Sequence, residues 1–130
     1  MMSDWVWVES AVVLAVHDEQ LAEHGGAAGV RDQGLLESAL ARPRNVAAYE
    51  PDADAAAIAA AYAFGIARNH AFVDGNKRTA LVVLELFLAS NGLELLADDE
   101  ACVAIMLRLA TGELGELDLA GWVREQTRTP

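Results

Sequence analysis

The chain contains little cysteine and little positive charge. Cys102 is the one cysteine among 130 residues, which excludes an internal disulfide and a zinc site built from several cysteines. It lies in the apolar run 101–109, where a small buried hydrophobic side chain is the expected role. Nine Lys and Arg stand against 20 Asp and Glu, giving a net charge of -11. A nucleic-acid partner is therefore not expected, because neutralising phosphates requires a basic face.

Long hydrophobic runs are also missing. Apolar residues make up 54% of the chain, yet the charge-free stretch 55–67 is shorter than the ~18 to 20 residues that a membrane span requires. We therefore expect a soluble protein with no membrane partner. The segment 1–5 has no cationic region followed by an apolar one, so the expectation is a cytoplasmic protein without an export signal. The length predicts a single domain over residues 1–130.

Apolar periodicity predicts helices, and the sequence has no alternating pattern typical of strands. The expected fold class is therefore all-α, a bundle of about six helices. The predicted helices cover 9–23, 33–42, 54–68, 76–90, 98–111 and 117–127. A glycine-rich loop is expected over 25–34 and a short extended piece over 93–96. The segments 54–68 and 76–90 are so apolar that both should be buried, with 76–90 at the centre of the domain.

Pro43 is expected to end the second helix, because proline biases the preceding residue, Arg42, away from helical angles. Residues 44–52 are then predicted to form an irregular loop with Tyr49 exposed or half buried. Two interpretations of this loop remain open. It is either an ordinary connection or a flap beside the functional site that guides a target segment.

Two histidines fall in or at the end of the first predicted helix, His17 within it and His24 just after it. No third metal ligand is evident nearby, so a metal pair is not expected. The interpretation is that both are helix-surface or capping residues.

The most informative stretch is the polar decapeptide HAFVDGNKRT at residues 70–79, which lies between the two most apolar helices. If a helix begins at Asn76, its first free amides and its dipole attract phosphate. Gly75 allows the backbone to approach a ligand closely. Lys77, the one lysine of the chain, and Arg78 are complementary phosphate-binding groups. The stretch therefore predicts a nucleotide-phosphate site formed by Gly75, Asn76, Lys77 and Arg78.

Asp74 and His70 are the chemically active candidates in this stretch. Asp74 is a candidate ligand for Mg²⁺, which usually takes one or two carboxylates and completes its shell with water and phosphate oxygens; an ordinary helix N-cap is the alternative. His70 is a candidate general base for an incoming hydroxyl, with a structural histidine as the alternative. Phe72 is expected to seat the loop in the core. No serine lies in the loop and Thr79 lies within the helix start, so direct transfer from a nucleotide to an acceptor hydroxyl is predicted.

The spacing His-x-Phe-x-Asp-Gly-Asn-Lys-Arg at residues 70–78 closely resembles the signature of the Doc (death on curing) toxins, a branch of the Fic superfamily. Other positions resemble further landmarks of the family, so the resemblance covers nearly the whole chain. These are His17-Asp18, Gly25-Gly26 with Gly29, Arg42-Pro43 with Tyr49, and Ala110-Thr111-Gly112-Glu113.

The resemblance implies an all-α Fic-like fold and a toxin of a type II toxin-antitoxin system. Such a toxin would transfer phosphate from ATP to a threonine of elongation factor Tu and arrest translation. By the same resemblance, His70 would be the base, Asp74 the Mg²⁺ ligand, and the side chains at 76–78 the phosphate contacts. Residues 43–50 would correspond to the flap that docks the target. A Phd-like antitoxin would be the inhibitory partner.

Two departures from the wider Fic pattern bear on the reaction. Members that transfer AMP usually have glycine where Lys77 stands and a second arginine where this chain has Leu81. An apolar side chain at that position favours phosphate transfer over AMP transfer. The nearest approach to a self-inhibiting helix, residues 90–94, is followed by Leu95 and does not match, so restraint is expected from a separate antitoxin. AMP transfer and a catalytically idle, partner-binding module remain the open alternatives.

Overall fold

The computed structural model describes residues 4–130, so the expectations that concern residues 1–3 lie outside the described part. The structure is predominantly helical, as predicted. Its helices are α1 (Ser10–His24), α2 (Gln33–Tyr49), α3 (Ala55–Asn69), α4 (Asn76–Ser90), α5 (Asp99–Ala110) and α6 (Glu116–Glu125). Two short strands, β1 (Glu94–Leu95) and β2 (Thr127–Arg128), pair antiparallel with Glu94 opposite Arg128 and Leu95 opposite Thr127. The predicted all-α bundle is confirmed, and β1 falls within the predicted extended piece.

Helix α3 is the central element of the bundle, and the prediction that α4 holds this place is wrong. Eleven of the 15 residues of α3 are buried, and it packs against α2, α4, α5 and α6. Its alanines leave room for neighbours on several sides. At Gly65 a Cβ would lie 3.0 Å from the carbonyl oxygen of Ala39, so the backbones of α2 and α3 are in direct contact there. Helix α4 instead keeps Glu85 exposed, with Leu81, Val82 and Leu86 only partly buried.

The prediction that Pro43 ends the second helix and that an irregular loop follows is wrong. Helix α2 continues through Pro43 to Tyr49, so most of residues 44–52 is helical. Proline deprives the carbonyl of Ala39 of its usual helical donor, but that carbonyl faces Gly65 of α3, and Pro43 itself is buried. Packing against α3 therefore outweighs the local preference. The segment 43–49 is therefore helical rather than an irregular loop, and Tyr49 is exposed as predicted (82%).

Three helices begin with an aspartate N-cap. Asp32, Asp54 and Asp98 each accept a hydrogen bond from the main-chain N–H three residues later, at 3.0, 2.9 and 2.8 Å. These bonds satisfy amides that have no acceptor within the helix. They fix the starts of α2, α3 and α5, of which α3 leads into the loop 70–75.

Aromatic residues join the start of the described chain to the core. The hydroxyl of Tyr62 accepts from Val8 N (3.0 Å) and donates to Val8 O (3.2 Å). The rings of Trp5 and Trp7 lie 5.9 and 6.1 Å from the ring of Phe87. Across residues 4–130, no helix combines the length and the apolarity needed to cross a membrane.

Candidate active site

The segment between α3 and α4 alternates between buried and exposed side chains. Ala71 and Phe72 are buried, whereas His70, Asp74 and the cations Lys77 and Arg78 are exposed. Phe72 therefore seats the loop in the core, as predicted. The charged groups lie on an open surface above this anchor.

His70 lies at the end of α3 in the left-handed conformation (φ 50°, ψ 48°). Among residues 4–130 it is the only non-glycine residue with positive φ, a conformation that few non-glycine residues adopt, asparagine, aspartate and histidine more often than the others. The side chain of Arg31, from the loop between α1 and α2, donates from Nε to His70 O (2.7 Å) and from Nη2 to Asn69 O (3.1 Å). The α1–α2 loop therefore supports the turn that carries the candidate base.

The α1–α2 loop also pairs with the main chain beyond His70. Ala71 O accepts from Arg31 N (2.7 Å) and from Asp32 N (3.2 Å), and Val73 N donates to Gly29 O (3.0 Å). Val30 and Phe72 form an antiparallel bridge. A tertiary contact between two loops thus fixes the backbone from His70 to Val73.

His17 supports the other half of the loop, so its interpretation as a surface or capping residue is wrong. It is buried (3% exposed), and its Nε2 lies 2.8 Å from the main-chain oxygen of Asp74. Because a carbonyl can only accept, Nε2 carries the proton. The imidazole also stacks on Phe72, with ring centroids 3.8 Å apart and planes inclined by 10°. His17 was part of the family resemblance, but nothing in the sequence indicated what it contacts.

Asp74 has one carboxylate oxygen bonded and the other held in a narrow space. Its Oδ1 accepts from Gly75 N at 2.8 Å. A Cβ at Gly26 would lie 2.8 Å from Asp74 Oδ2, so the backbone of the α1–α2 loop passes directly beside this carboxylate. The N-cap of α4 is Gly75 (φ 78°, ψ 16°). Asp74 precedes the cap, and its carboxylate remains exposed at the helix N-terminus.

Asn76 has a different role from the one expected of its side chain. Its Oδ1 accepts from Phe72 N and its Nδ2 donates to Phe72 O, both at 3.0 Å. Asn76 is buried, and these two bonds close the loop on itself. The group that Asn76 offers to an anion is therefore its main-chain N–H. This N–H and those of Lys77 and Arg78 belong to the first turn of α4, where main-chain N–H groups have no acceptor within the helix.

The positive side chains divide into two groups. Five arginines each have a carboxylate partner within 4.0 Å. The four other cations of the described residues, Arg31, Arg68, Lys77 and Arg78, have none. All four belong to the segments around the loop 70–75. In a chain with 20 acidic residues, this is a local excess of positive charge, which attracts anions.

Arg68 lies on the last turn of α3, two residues before His70. Its guanidinium carbon is 5.3 Å from the centroid of the Phe64 ring, and Gly112, in the turn after α5, would bring a Cβ to 3.9 Å from its Nη2. Arg42 lies over the same ring at 4.8 Å. The stack holds Arg68 at the end of the bundle where α3 leads into the loop.

No covalent nucleophile lies in the loop. Thr79 is fully buried, and its hydroxyl has no hydrogen-bond partner among residues 4–130. Cys102 is buried on α5, and burial together with Glu85, Asp99 and Asp98 raises the pKa of its thiol to about 11. This agrees with the prediction that Cys102 is a buried hydrophobic side chain rather than a nucleophile.

Two cavities lie away from the loop. One, of about 390 Å³, is lined by residues 50–54 and by α3 and α6. The other, of about 310 Å³, lies between the second half of α2 and Glu116, with Tyr49 in its wall. Neither is lined by residues 70–79. In residues 4–130, no group of three or more His, Cys, Asp or Glu could hold a metal ion, so a cation beside Asp74 would need further ligands from a bound nucleotide or water.

Comparison with known proteins identifies the family of the chain. The profile described as the Fic/DOC family matches residues 7–88, which include the whole loop. The chain is 35% identical to the "Protein kinase doc" of Escherichia phage P1 over 112 residues, covering 86% of this chain and 88% of that protein. It is 50% identical to the "Toxin Doc" of Mycolicibacterium smegmatis over 78 residues, covering 57% and 58%. The chain therefore belongs to the Fic/DOC family.

Proposed function

We propose that this protein is a Doc-type toxin that transfers the γ-phosphate of ATP to a hydroxyl of a protein target and is restrained by a separate antitoxin. The expected target is a threonine of elongation factor Tu, as the resemblance implies. The observation that carries the proposal is the arrangement around the loop. The loop carries an exposed imidazole and an exposed carboxylate, it leads into the free N-terminus of α4, and the four cations without a carboxylate partner among residues 4–130 lie on the segments around it.

Binding of the nucleotide rests on the first turn of α4. The free main-chain N–H groups of Asn76, Lys77 and Arg78 and the helix dipole favour phosphate oxygens. The ammonium of Lys77 and the guanidinium of Arg78 add positive charge. Neither has to break an ion pair with a carboxylate of residues 4–130 before it binds phosphate. Arg68, at the end of α3, is available to approach the same anion.

Asp74 is the candidate ligand for a divalent cation. Its Oδ1 is bonded to Gly75 N, while Oδ2 is available beside Gly26. One protein carboxylate suits Mg²⁺, which takes its other ligands from water and phosphate. When bound, Mg²⁺ would neutralise charge on the phosphates. The chain's own contribution is to hold that carboxylate at the helix N-terminus.

His70 would act as the general base. The target hydroxyl oxygen forms a bond to the γ-phosphorus, the bond from that phosphorus to the bridging oxygen breaks, and ADP leaves with the bond's electron pair. The hydroxyl proton passes to a nitrogen of the His70 imidazole. The loop offers no nucleophile of its own, which favours this single displacement over a covalent enzyme intermediate.

Phosphate transfer is favoured over AMP transfer by Leu81. This residue lies one turn after Arg78 on α4 and packs against the hydrophobic core, so it offers no charge to hold the terminal phosphates in the manner of the AMP-transferring members. The name "Protein kinase doc" of the phage P1 relative points the same way. AMP transfer remains the second candidate.

The antitoxin is proposed to bind near Tyr49. The ring of Tyr49 is exposed at the end of α2 and contributes to the groove of about 310 Å³ with Arg42, Val46 and Glu116. A helix of the partner lying along this groove would bury the ring. Binding that is unaffected by Tyr49→Ala would remove this site.

The reaction is tested by incubating the protein with elongation factor Tu and ATP labelled at either the γ or the α position. Label from γ-labelled ATP only, and an added mass of one phosphate, support the proposal; label from α-labelled ATP identifies AMP transfer. His70→Ala should abolish labelling, and His24→Ala, an exposed histidine at the end of α1, should leave it unchanged. If the protein binds its partner but turns over neither nucleotide, it is the idle module.

A further inference from the structure

The candidate base is held in an unfavourable backbone conformation. His70 has φ 50° and ψ 48°, a left-handed conformation that only a few per cent of non-glycine residues adopt. Strain of this kind persists only where surrounding contacts enforce it. The contacts that enforce it here come from another part of the chain.

Arg31 makes those contacts with a two-pronged guanidinium. Nε donates to His70 O at 2.7 Å and Nη2 donates to Asn69 O at 3.1 Å. Both acceptors belong to the C-terminal end of α3, where a cation also complements the helix dipole. The main chain of Arg31 adds a hydrogen bond to Ala71 O. The main-chain carbonyls of residues 69, 70 and 71 thus all accept hydrogen bonds from Arg31.

The side chain of Arg31 differs from the other three unpaired cations. Two of its N–H groups are engaged by the carbonyls of Asn69 and His70, whereas within residues 4–130 no hydrogen bond holds the side chains of Arg68, Lys77 and Arg78. If the guanidinium turned towards a phosphate, it would release the turn at His70. Arg31 is also exposed, so its contribution to core packing is small.

We infer that Arg31 is a positioning residue for the reaction: it stabilises the left-handed turn at His70 and so fixes where the imidazole meets the target hydroxyl. This inference rests on the proposed function of His70. It assigns Arg31 no contact with the nucleotide. The guanidinium acts only through the main chain of residues 69 and 70.

The experiment compares Arg31→Gln, Arg31→Lys and the control Arg128→Gln, which alters an exposed arginine on β2. For each protein, kcat, the KM for ATP and the melting temperature are measured. The second readout is the set of His70 backbone chemical shifts in the ligand-free protein. In Arg31→Gln we expect kcat to fall about 10- to 100-fold, since misplaced catalytic groups cost that much, with the KM for ATP within about twofold.

The other variants sharpen the result. Lysine can still donate to one of the two carbonyls, so Arg31→Lys should regain part of the lost kcat and part of the left-handed shifts. Arg128→Gln should match the wild-type protein in every readout. The His70 shifts of Arg31→Gln should move away from left-handed values, because the turn is no longer held.

Three results would overturn the inference. A raised KM with unchanged kcat would make Arg31 a phosphate contact. Loss of activity in proportion to the unfolded fraction would make it a stability residue only. Left-handed His70 shifts retained in Arg31→Gln would show that the turn does not depend on it. If wild-type protein transfers no label although its His70 shifts depend on Arg31, the proposed function and the catalytic part of this inference fail, while the conformational part stands.

Discussion

The imidazole of His17 donates from Nε2 to the main-chain oxygen of Asp74 at 2.8 Å, across 57 positions of the sequence. The same ring lies flat against Phe72, the residue that seats the loop. Helix α1 therefore supports the loop from the core side, while the α1–α2 loop holds its main chain at residues 70–73. The candidate catalytic surface is a short segment fixed by contacts from two directions.

Replacing His17 by Ala should lower the free energy of unfolding by about 2–4 kcal/mol, because the change leaves a cavity under Phe72 and removes the hydrogen bond to Asp74. Urea unfolding monitored by circular dichroism measures the effect. His24→Ala alters an exposed histidine of the same helix and should change stability by less than about 0.5 kcal/mol. Equal effects at the two positions would contradict the role assigned to His17.

Replacing Gly26 by Ala should displace the carboxylate of Asp74. The new Cβ would lie 2.8 Å from Asp74 Oδ2 and 3.0 Å from Leu21 Cδ2, at a residue with φ +125°. We expect metal-dependent nucleotide turnover to fall by about tenfold or more, since a misplaced ligand loses its geometry. The measurement is the rate as a function of Mg²⁺ concentration.

Gly92→Ala is the matched control for that change. Gly92 also has positive φ, +81°, but nothing lies within 4 Å of its Cβ position. The Gly92→Ala protein should be about 1–2 kcal/mol less stable because of backbone strain. Its rate of nucleotide turnover should depend on Mg²⁺ concentration as in the wild-type protein. A Gly26→Ala protein with normal Mg²⁺ dependence would show that the carboxylate position is unimportant.

Replacing Thr79 by Val should stabilise the protein by about 1 kcal/mol. The threonine hydroxyl is buried without a hydrogen-bond partner, and an apolar group of similar shape removes that desolvation cost. Thr111→Val is the comparison, since the exposed hydroxyl of Thr111 donates to Arg108 O at 3.2 Å and should yield no gain. Melting temperatures of the two variants decide the matter; a destabilised Thr79→Val would argue for a hydroxyl partner.

The ion pair between Asp54 and Arg124 should make a small pH-dependent contribution to stability. Hydrogen bonds from Arg124, at 2.6 and 3.0 Å, are the largest cause that lowers the pKa of Asp54. A carboxyl whose pKa is lower in the folded state stabilises above its unfolded pKa of about 3.9. That contribution is lost as the pH falls through the folded pKa.

A double-mutant cycle with Asp54→Asn and Arg124→Gln measures this contribution by urea unfolding. Asparagine retains the N-cap bond to Ala57, so the cycle isolates the ion pair. The coupling at pH 7 should be about 0.5 kcal/mol, because both side chains are largely exposed, and it should disappear in strong acid. A coupling that grows on acidification would contradict the sign.

The helices that flank the site were predictable because local patterns determine them. Helix α4 has the predicted bounds, and α3 begins one residue after its predicted start at residue 54. The end of α2 was not predictable from Pro43 alone. The contact between Ala39 of α2 and Gly65 of α3 outweighs the tendency of proline to end a helix. The last predicted helix, 117–127, likewise extends beyond α6 because Thr127 pairs with Leu95 of β1.

The amino-acid sequence by itself determined the helical fold class, the position of the polar loop, its anchoring by Phe72 and the family to which the chain belongs. Each of these depends on residue types at fixed short spacings. Only the tertiary structure decided that α3 is central, that Asn76 closes the loop with its side chain, and that His17 and Arg31 hold the backbone at Asp74 and His70. Those features are hydrogen bonds and contacts whose partners become neighbours only when the helices pack.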